Sequence, residues 1–252
     1  MAQFCMEIAG FTAQVCSSFD STKDYCRKYL TDKPADFSVS VTEDMLDFEQ
    51  QALDLEAEQE GMRKRAFTRP FLERAAIQRQ VAEELLDRGV LLFHGSALAA
   101  DGKGYLFTAP CGTGKSTHAR LWLRELGDRA QIINDDKPFL RLTDGQFLVC
   151  GAPWSGKHGL DNNICVPLQA ICILERGKEN RIAPAASSQV RDFLAHQCLP
   201  PRQAEQQKAF EQLVHTLADT VPVYSMQCTP QPEAARMAHN AMAPLHFTEN
   251  MV

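Results

Sequence analysis

The pattern of apolar and polar residues changes character about a third of the way along the chain. Before that point, residues 4–16 predict one or two strands, residues 21–30 a short helix and residues 37–42 another strand. From Thr42 apolar residues recur at helical spacing, and a second helix begins at Pro70 and stops at Gly89, where these residue types are favoured. The change near residue 89 predicts an α+β accessory region over 1–89 and a core over 90–252.

The core is rich in strand patterns. Residues 91–98 and 104–109 are apolar runs that flank a short turn at Asp101-Gly102, which predicts an antiparallel hairpin. Further strands are expected at 131–134, 138–142, 146–151, 168–176 and 221–228, and helices at 115–126, 188–199, 203–218 and 231–242. We therefore expect an α/β fold with a mixed, hairpin-rich sheet.

The composition is that of a globular protein: 252 residues, of which 44% are hydrophobic and 23% charged. The net charge of −6 disfavours nucleic acid as a partner, because nucleic-acid binding needs a basic face. Apolar runs stay well below the roughly 18 residues of a membrane span, and the N-terminus carries Glu7 in place of a basic signal-peptide region. We therefore expect a cytoplasmic protein with no membrane partner.

Acidic residues are concentrated in the first long helix. Eight carboxylates fall between Glu43 and Glu60, and basic residues from Arg63 to Arg69 then reverse the sign. Such a run is typical of a solvated helix face. The alternative is an arm that docks a partner.

The cysteines do not form a disulfide pattern. There are nine, an odd number, and no C-x-x-C spacing occurs. A chain of this length can also fold without disulfide cross-links, so we expect free, mostly buried thiols in a reducing compartment. Cys150, Cys165 and Cys172 lie in strand-like apolar runs and are expected in the core.

A phosphate-binding loop is the clearest chemical motif. Ala109-Pro-Cys-Gly-Thr-Gly-Lys-Ser116 has the spacing of a Walker A loop, with alanine at the first glycine, between a predicted strand and a predicted helix. The two inner glycines allow the backbone to turn its N–H groups toward an anion, and the helix start adds positive potential. Nucleotide binding is therefore expected at Gly112, Thr113, Gly114, Lys115, Ser116 and Thr117. Within the loop, Cys111 is either filler or a redox-active thiol.

An acidic pair follows the next strand. Asp135 and Asp136 end the run QIIN, where carboxylates beside a phosphate loop hold Mg²⁺ and accept a proton. Adjacent side chains on a strand point in opposite directions, so one aspartate is expected to face metal and substrate while the other supports it. The hairpin also carries His94 alongside the loop.

A glycine-bounded segment, 151–159, comes after the acidic pair. Two of its glycines allow movement, and Lys157 and His158 could meet phosphate charge. Trp154 could stack on a base or a substrate, or it could be the buried residue of a tight turn. The residues 161–163 could form a cap or contact the substrate. Arg176 follows a strand and could reach phosphates, although an exposed charge is the default expectation.

Taken together, these motifs resemble the phosphoenolpyruvate carboxykinase/HPr kinase superfamily. The resemblance covers about residues 90–176 and consists of His94-Gly-Ser-Ala97, a hairpin, the phosphate loop and Asp135-Asp136, in that order. It implies a mixed sheet around the loop, ATP with Mg²⁺, and in-line phosphoryl transfer. By position, it implies Lys115 on phosphate, Ser116 on metal, His94 near the γ-phosphate or metal, and one aspartate as metal ligand or base. The chain is too short for a carboxykinase.

The sequence therefore predicts an HPr kinase-like phosphotransferase. It would transfer the γ-phosphoryl group of ATP to a hydroxyl, on a serine of a protein or peptide or on a small alcohol such as free serine. Asp136 is the expected base, Asp135 and Ser116 the expected metal ligands, and residues 1–89 the recognition or dimerisation region. The alternative is a nucleotide-binding regulatory protein with little or no turnover.

Overall fold

The computed structural model describes residues 2–59, 61–110 and 112–243. Its first part is a small sheet whose strand order is β1 (Ala2–Ile8), β2 (Phe11–Ser17) and β3 (Phe37–Ser40). The first two strands are antiparallel and the third runs parallel to β2, with α1 (Asp20–Tyr25) and a 3₁₀ turn at Arg27–Tyr29 between them. The predicted strands and short helix of this part are confirmed.

Two long helices connect the small sheet to the rest of the molecule. The first, α2 (Glu43–Gln59), packs on α3 (Arg69–Leu86), which begins with a proline in its first turn. The apolar face of α3, including Ile77, Val81 and Leu85, is buried in a core that the small sheet shares with Phe139 and Trp154. The residues before and after position 89 thus contribute to one core.

The second sheet contains the remaining strands. Along its main path the order is β4 (Val90–Leu92), β8 (Phe139–Thr143), β9 (Gln146–Cys150), β10 (Cys165–Arg176), β6 (Lys103–Thr108), β5 (Ser96–Ala100) and β7 (Ala130–Asn134). The long strand β10 pairs with β9 at its start and with β12 (Val223–Cys228) at its end, and β11 (Arg181–Pro184) pairs with β12. Parallel and antiparallel pairs coexist, so the predicted mixed, hairpin-rich sheet is confirmed.

Helices cover both faces of this sheet. Alternate residues of β6 show the two layers: Tyr105 and Phe107 face α4 (Lys115–Leu126) and α7 (Pro232–Met242), whereas Leu106 faces α5 (Ser187–Gln197) and α6 (Gln207–Thr220). Both faces of β6 are buried over its apolar run, residues 105–107. Among the described helices, none is long and apolar enough to cross a membrane.

One predicted strand is divided in the structure. Residues 91–98 were expected to form a single strand carrying His94, but β4 pairs with β8 while β5 pairs with β6 and β7. His94 lies in the connection, where its N–H bonds the carbonyl of Gln197. A Cβ on Gly95 would lie 2.9 Å from the Phe107 carbonyl oxygen, so only glycine lets the connection approach β6 this closely.

The expectation that all cysteines are free is wrong for one pair. Cys150 and Cys165 form a disulfide across β9 and β10, where they are register partners with Cα atoms 4.1 Å apart. Antiparallel pairing places such partners face to face, a fact that spacing along the chain does not reveal. The free thiols among the described residues are Cys5, Cys16, Cys26, Cys172, Cys198 and Cys228. Cys111 lies outside the described residues.

Candidate active site

The phosphate loop connects β6 to α4 with a left-handed backbone. Gly112 has a φ of +73° and Gly114 a φ of +120°, and nothing lies within 4 Å of a Cβ built on either. Glycine is therefore needed for backbone conformation and not for space. The Thr113 hydroxyl donates to the Pro110 carbonyl at 2.8 Å and holds the turn. The loop thus leads directly into the start of α4, whose first N–H groups have no partner within the helix.

The first residues of α4 face the inside of the site. Lys115 is 9% exposed, and its Nζ donates to the Ala109 carbonyl at 3.0 Å, so the side chain folds back over the loop. The Ser116 Oγ lies 3.5 Å from the Asp135 carbonyl oxygen, which brings the helix start to the end of β7. Thr117 is exposed on the same turn.

Arg176, at the end of β10, also contacts the phosphate loop. Its Nη2 donates to the Gly112 carbonyl at 2.6 Å, and its Nε lies 3.5 Å from the Thr113 carbonyl. The default expectation of a simple exposed charge therefore missed its contacts. The available signal was its place at the carboxyl end of a strand that runs parallel to β6.

Asp135 is buried directly after β7. It is 4% exposed, and its Oδ1 accepts the Gly156 N–H at 2.7 Å. Its Oδ2 is buried and has no hydrogen-bond partner among the described residues. Burial raises the pKa of the carboxyl, an effect that the Gly156 N–H opposes and the charge of Asp136 increases.

Asp136 meets His94 at the centre of the site. The His94 Nε2 lies 3.5 Å from the Asp136 Oδ1. Burial raises the pKa of Asp136, while the positive charges of Lys137 and Lys115 oppose the rise. Burial also lowers the pKa of His94 to about 3, helped by the same two lysines. The imidazole is therefore neutral near pH 7, and the contact is a polar one and not an ion pair.

Backbone hydrogen bonds hold the His94 connection between two strand ends. The Gly95 N–H donates to the Asp136 carbonyl at 2.9 Å. The Thr108 hydroxyl, at the end of β6, lies 3.2 Å from the His94 carbonyl and 2.9 Å from the Gln197 Oε1. The structure thus brings the phosphate loop, His94 and Asp136 together, as the hairpin predicted, although His94 is not on a strand.

The segment 151–159 splits into a buried half and an exposed half. Trp154 is 6% exposed, packs near Phe139, and donates from its Nε1 to the Arg74 carbonyl at 2.8 Å. It is the buried residue of a tight turn, which leaves no open face for a base or substrate. Lys157 and His158 are exposed at the corner of a turn closed by a 2.9 Å bond from the Gly159 N–H to the Gly156 carbonyl.

Asp161 joins this segment to the N-terminal part. One carboxylate oxygen accepts the Tyr29 hydroxyl at 3.1 Å and lies 3.3 Å from the Lys28 Nζ, and the other accepts the Ser155 hydroxyl at 3.2 Å. Asp161 therefore connects the two parts of the molecule, and it is not a helix cap, because the element that follows is the strand β10.

Sequence reasoning missed Asn134, the last residue of β7. It is fully buried, and its amide bonds both the backbone N–H of Asp136 and the segment 151–159. A polar residue that directly follows the apolar pair Ile132-Ile133 and precedes the acidic pair was the signal available for it.

The chain is similar to a solved structure and matches a family model. Among solved structures, the HPr(Ser) kinase/phosphatase from Coxiella burnetii is 13% identical, with a TM-score of 0.34 over 60% of this chain and 92% of that chain. A TM-score this low carries no argument about fold or function. The comparison with curated proteins gives no match. A family model described as SynChlorMet cassette protein ScmC matches residues 71–232, more than half of the chain, and the protein therefore belongs to the ScmC family.

Proposed function

We propose that this protein is an ATP-dependent kinase that transfers the γ-phosphoryl group to a hydroxyl. The acceptor is a serine of a protein or peptide, or a small alcohol such as free serine. The observation that carries the proposal is the meeting of an anion-binding loop with a carboxylate pair, of which Asp135 is buried and Asp136 partly exposed, and a neutral histidine. Phosphoryl transfer needs positioning and charge neutralisation more than covalent chemistry, and these residue types supply both.

The nucleotide would lie with its phosphates at the start of α4. Residues 112–117 offer backbone N–H groups and the positive end of the helix, and Lys115 brings a positive charge to the same point. Arg176, which now bonds the loop carbonyls, is close enough to fix the shape of the loop that receives the phosphates.

The residues around Ser116 suit Mg²⁺. The described residues contain no cluster of three or more His, Cys, Asp or Glu side chains that would hold a metal alone. Magnesium bound with a nucleotide typically takes only one or two protein ligands, since phosphates and water supply the others. The oxygen donors proposed for that role are the Oδ2 of Asp135, which has no hydrogen-bond partner among the described residues, and the hydroxyl of Ser116. Bound there, the ion would neutralise charge on the β- and γ-phosphates.

Asp136 is the proposed general base. Its raised pKa makes the carboxylate a stronger proton acceptor than a solvated aspartate. It would take the proton of the acceptor hydroxyl as that oxygen forms its bond to the γ-phosphorus and the bond to the β–γ bridging oxygen breaks, releasing ADP. His94 would hold the carboxylate in position, and Lys157 and His158 would meet charge on the incoming substrate.

Residues 1–89 are proposed to recognise the acceptor or to mediate dimerisation. The contacts of Lys28, Tyr29 and Arg74 with the segment 151–161 support a role close to the site. Through these contacts, a partner bound to the N-terminal part would act on the same segment that carries Lys157.

The test is incubation with [γ-³²P]ATP and Mg²⁺ in the presence of free serine, free threonine, HPr and peptides encoded beside the gene. Label is expected on one hydroxyl acceptor and is expected to be absent with Lys115→Ala. Tight MgATP binding without transfer to any acceptor or to water would instead support the alternative, a nucleotide-binding regulatory protein with little or no turnover.

A further inference from the structure

The buried side-chain amide of Asn134 makes four hydrogen bonds, two through its oxygen and two through its nitrogen. The residue is 0% exposed. Its Oδ1 accepts the N–H groups of Asp136 and Lys137 at 2.8 and 2.6 Å. Its Nδ2 donates to the carbonyls of Ala152 and Trp154 at 2.8 and 3.2 Å. The orientation of the amide is fixed, because the flipped group would set its oxygen against two carbonyls.

The oxygen half of the amide shapes the turn that carries Asp136. By binding two successive N–H groups just after β7, it bends the chain back toward the connection that holds His94. There the Asp136 carbonyl accepts the Gly95 N–H at 2.9 Å, and the carboxylate comes 3.5 Å from the His94 Nε2. The orientation of the Asp136 carboxylate, the proposed base, therefore depends on the Oδ1 of Asn134.

The nitrogen half of the amide fixes the segment that holds Asp135. With the carbonyls of Ala152 and Trp154 bound, the chain continues into Gly156, whose N–H donates to the Asp135 Oδ1 at 2.7 Å. The other oxygen of Asp135 stays without a partner among the described residues. Since Gly156 takes one oxygen, the segment decides which oxygen remains for a metal.

We propose that Asn134 is the positioning residue that sets both carboxylates, one through each half of its amide. Among side chains of similar size, only asparagine offers two acceptor sites and two donors; glutamine has the same amide but places it one methylene farther from the backbone. Aspartate has the same shape but, when ionised, cannot donate to the two carbonyls, and serine has too few groups for four partners. The catalytic meaning of this placement rests on the proposed function, but the coupling of the two segments does not.

Amide hydrogen exchange measured by NMR on the full chain tests the coupling directly. The reporters are the N–H groups of Asp136, Lys137 and Gly156, all of which bond side-chain oxygens in this cluster. In Asn134→Ala all three should exchange at least about tenfold faster, since buried partners are left unpaired. In Asn134→Asp at pH 8 only the Gly156 reporter should exchange faster, because the acceptor oxygen is retained.

The control is Asn162→Ala. Its Nδ2 donates to the Ile132 carbonyl of β7 at 2.7 Å, so it also removes an asparagine contact with that strand, but one that touches neither carboxylate. All three reporters should stay within about twofold of wild type. If Asn134→Ala does not fold, the selective effect of Asn134→Asp decides. Unchanged reporters in Asn134→Ala, or equal loosening of all three in Asn134→Asp, would overturn the proposal.

A second measurement separates positioning from general loosening. We expect metal-free ADP to bind Asn134→Ala as it binds wild type, while Mn²⁺ binds the ADP complex at least about tenfold more weakly, because only the metal depends on Asp135. Equal losses with and without metal would mean a merely structural residue. A wild-type protein that binds no ADP would contradict the proposed function, and the three amide reporters would still decide the coupling.

Discussion

The two sides of the candidate site are built in different ways. The phosphate side comes mostly from one stretch of chain, residues 109–117, in which two glycines and the start of α4 make the geometry locally, and Arg176 of β10 adds contacts to two of its carbonyls. The acidic side is assembled from distant segments: the His94 connection, the end of β7, the segment 151–159 and α3. Apart from changes at Arg176, the first side should tolerate most changes outside residues 109–117, whereas the second should respond to contacts far along the chain.

The largest effect is expected from Lys115→Ala. Removing the charge at the start of α4 should abolish thermal stabilisation by MgATP and lower transfer by about a thousandfold or more, as expected for a group that stabilises the transferring charge. Differential scanning fluorimetry and label transfer measure the two effects. Lys208→Ala, an exposed lysine on α6, is the control and should match wild type. Unchanged ATP stabilisation in Lys115→Ala would refute the loop assignment.

Asp136→Asn should separate nucleotide binding, on the phosphate side, from phosphoryl transfer, on the acidic side. The amide keeps the shape but cannot take a proton, so nucleotide affinity should persist while transfer falls by about 10² to 10⁴-fold. Calorimetric titration with MgATP and the initial rate of transfer check this on one sample. Asp144→Asn, in an exposed turn, controls for the substitution itself. Full transfer by Asp136→Asn would remove that residue from the role of base.

Cys165→Ser should loosen only the acidic side. The disulfide closes the loop from Cys150 to Cys165, a separation of 15 residues, and cross-links of that length typically contribute about 3 kcal/mol. Urea titration should show a lower free energy of unfolding. Hydrogen exchange should rise in residues 151–164 and stay unchanged in residues 112–117. Cys16→Ser, at an exposed free thiol, is the control. Equal increases in hydrogen exchange in residues 151–164 and in residues 112–117 would contradict the proposed difference between the two sides of the site.

The smallest effect is expected from His94 in acid. Its pKa in the fold is about 3, below the ordinary 6.5, so between these values the unfolded chain binds a proton that the folded chain excludes. This contribution to stability is complete above pH 6.5 and is lost as the pH falls toward 3. His94→Gln should flatten the fall in the urea midpoint between pH 6.5 and 4.5. His118, whose pKa burial lowers to about 4, leaves a residual slope.

His215→Gln, on the exposed face of α6, should leave that pH dependence as it is in wild type. If His94→Gln gives the same slope as wild type, the His94 imidazole is not excluded from protonation by the fold.

How far the sequence predicts the molecule follows the same division. The phosphate loop, α4 and the hairpin before them were predicted because glycine conformation, helix periodicity and a short turn are local properties. The acidic side was predicted only as residue types at a strand end. Its contacts depend on strand register and on tertiary packing: Cys150 faces Cys165 in this register, and Trp154 is buried between residues of α3, β8 and the small sheet.

The strand that divides at His94 shows the same limit. Apolar residues on both sides of Phe93-His94-Gly95 give one continuous pattern, yet the halves pair with different partners. At the division, Gly95 approaches β6 closely and the His94 N–H bonds the Gln197 carbonyl. Neither contact leaves a trace in local periodicity.

We propose that one side of the site binds ATP and the other transfers its phosphoryl group. The most direct test is the release of ³²P from [γ-³²P]ATP, to water or to any acceptor, measured beside MgATP affinity for wild type, Lys115→Ala and Asp136→Asn. We expect wild type to bind and release label, Lys115→Ala to do neither, and Asp136→Asn to bind without release. A wild-type protein that binds MgATP but never releases label, or an Asp136→Asn variant that releases it at the wild-type rate, would contradict the account.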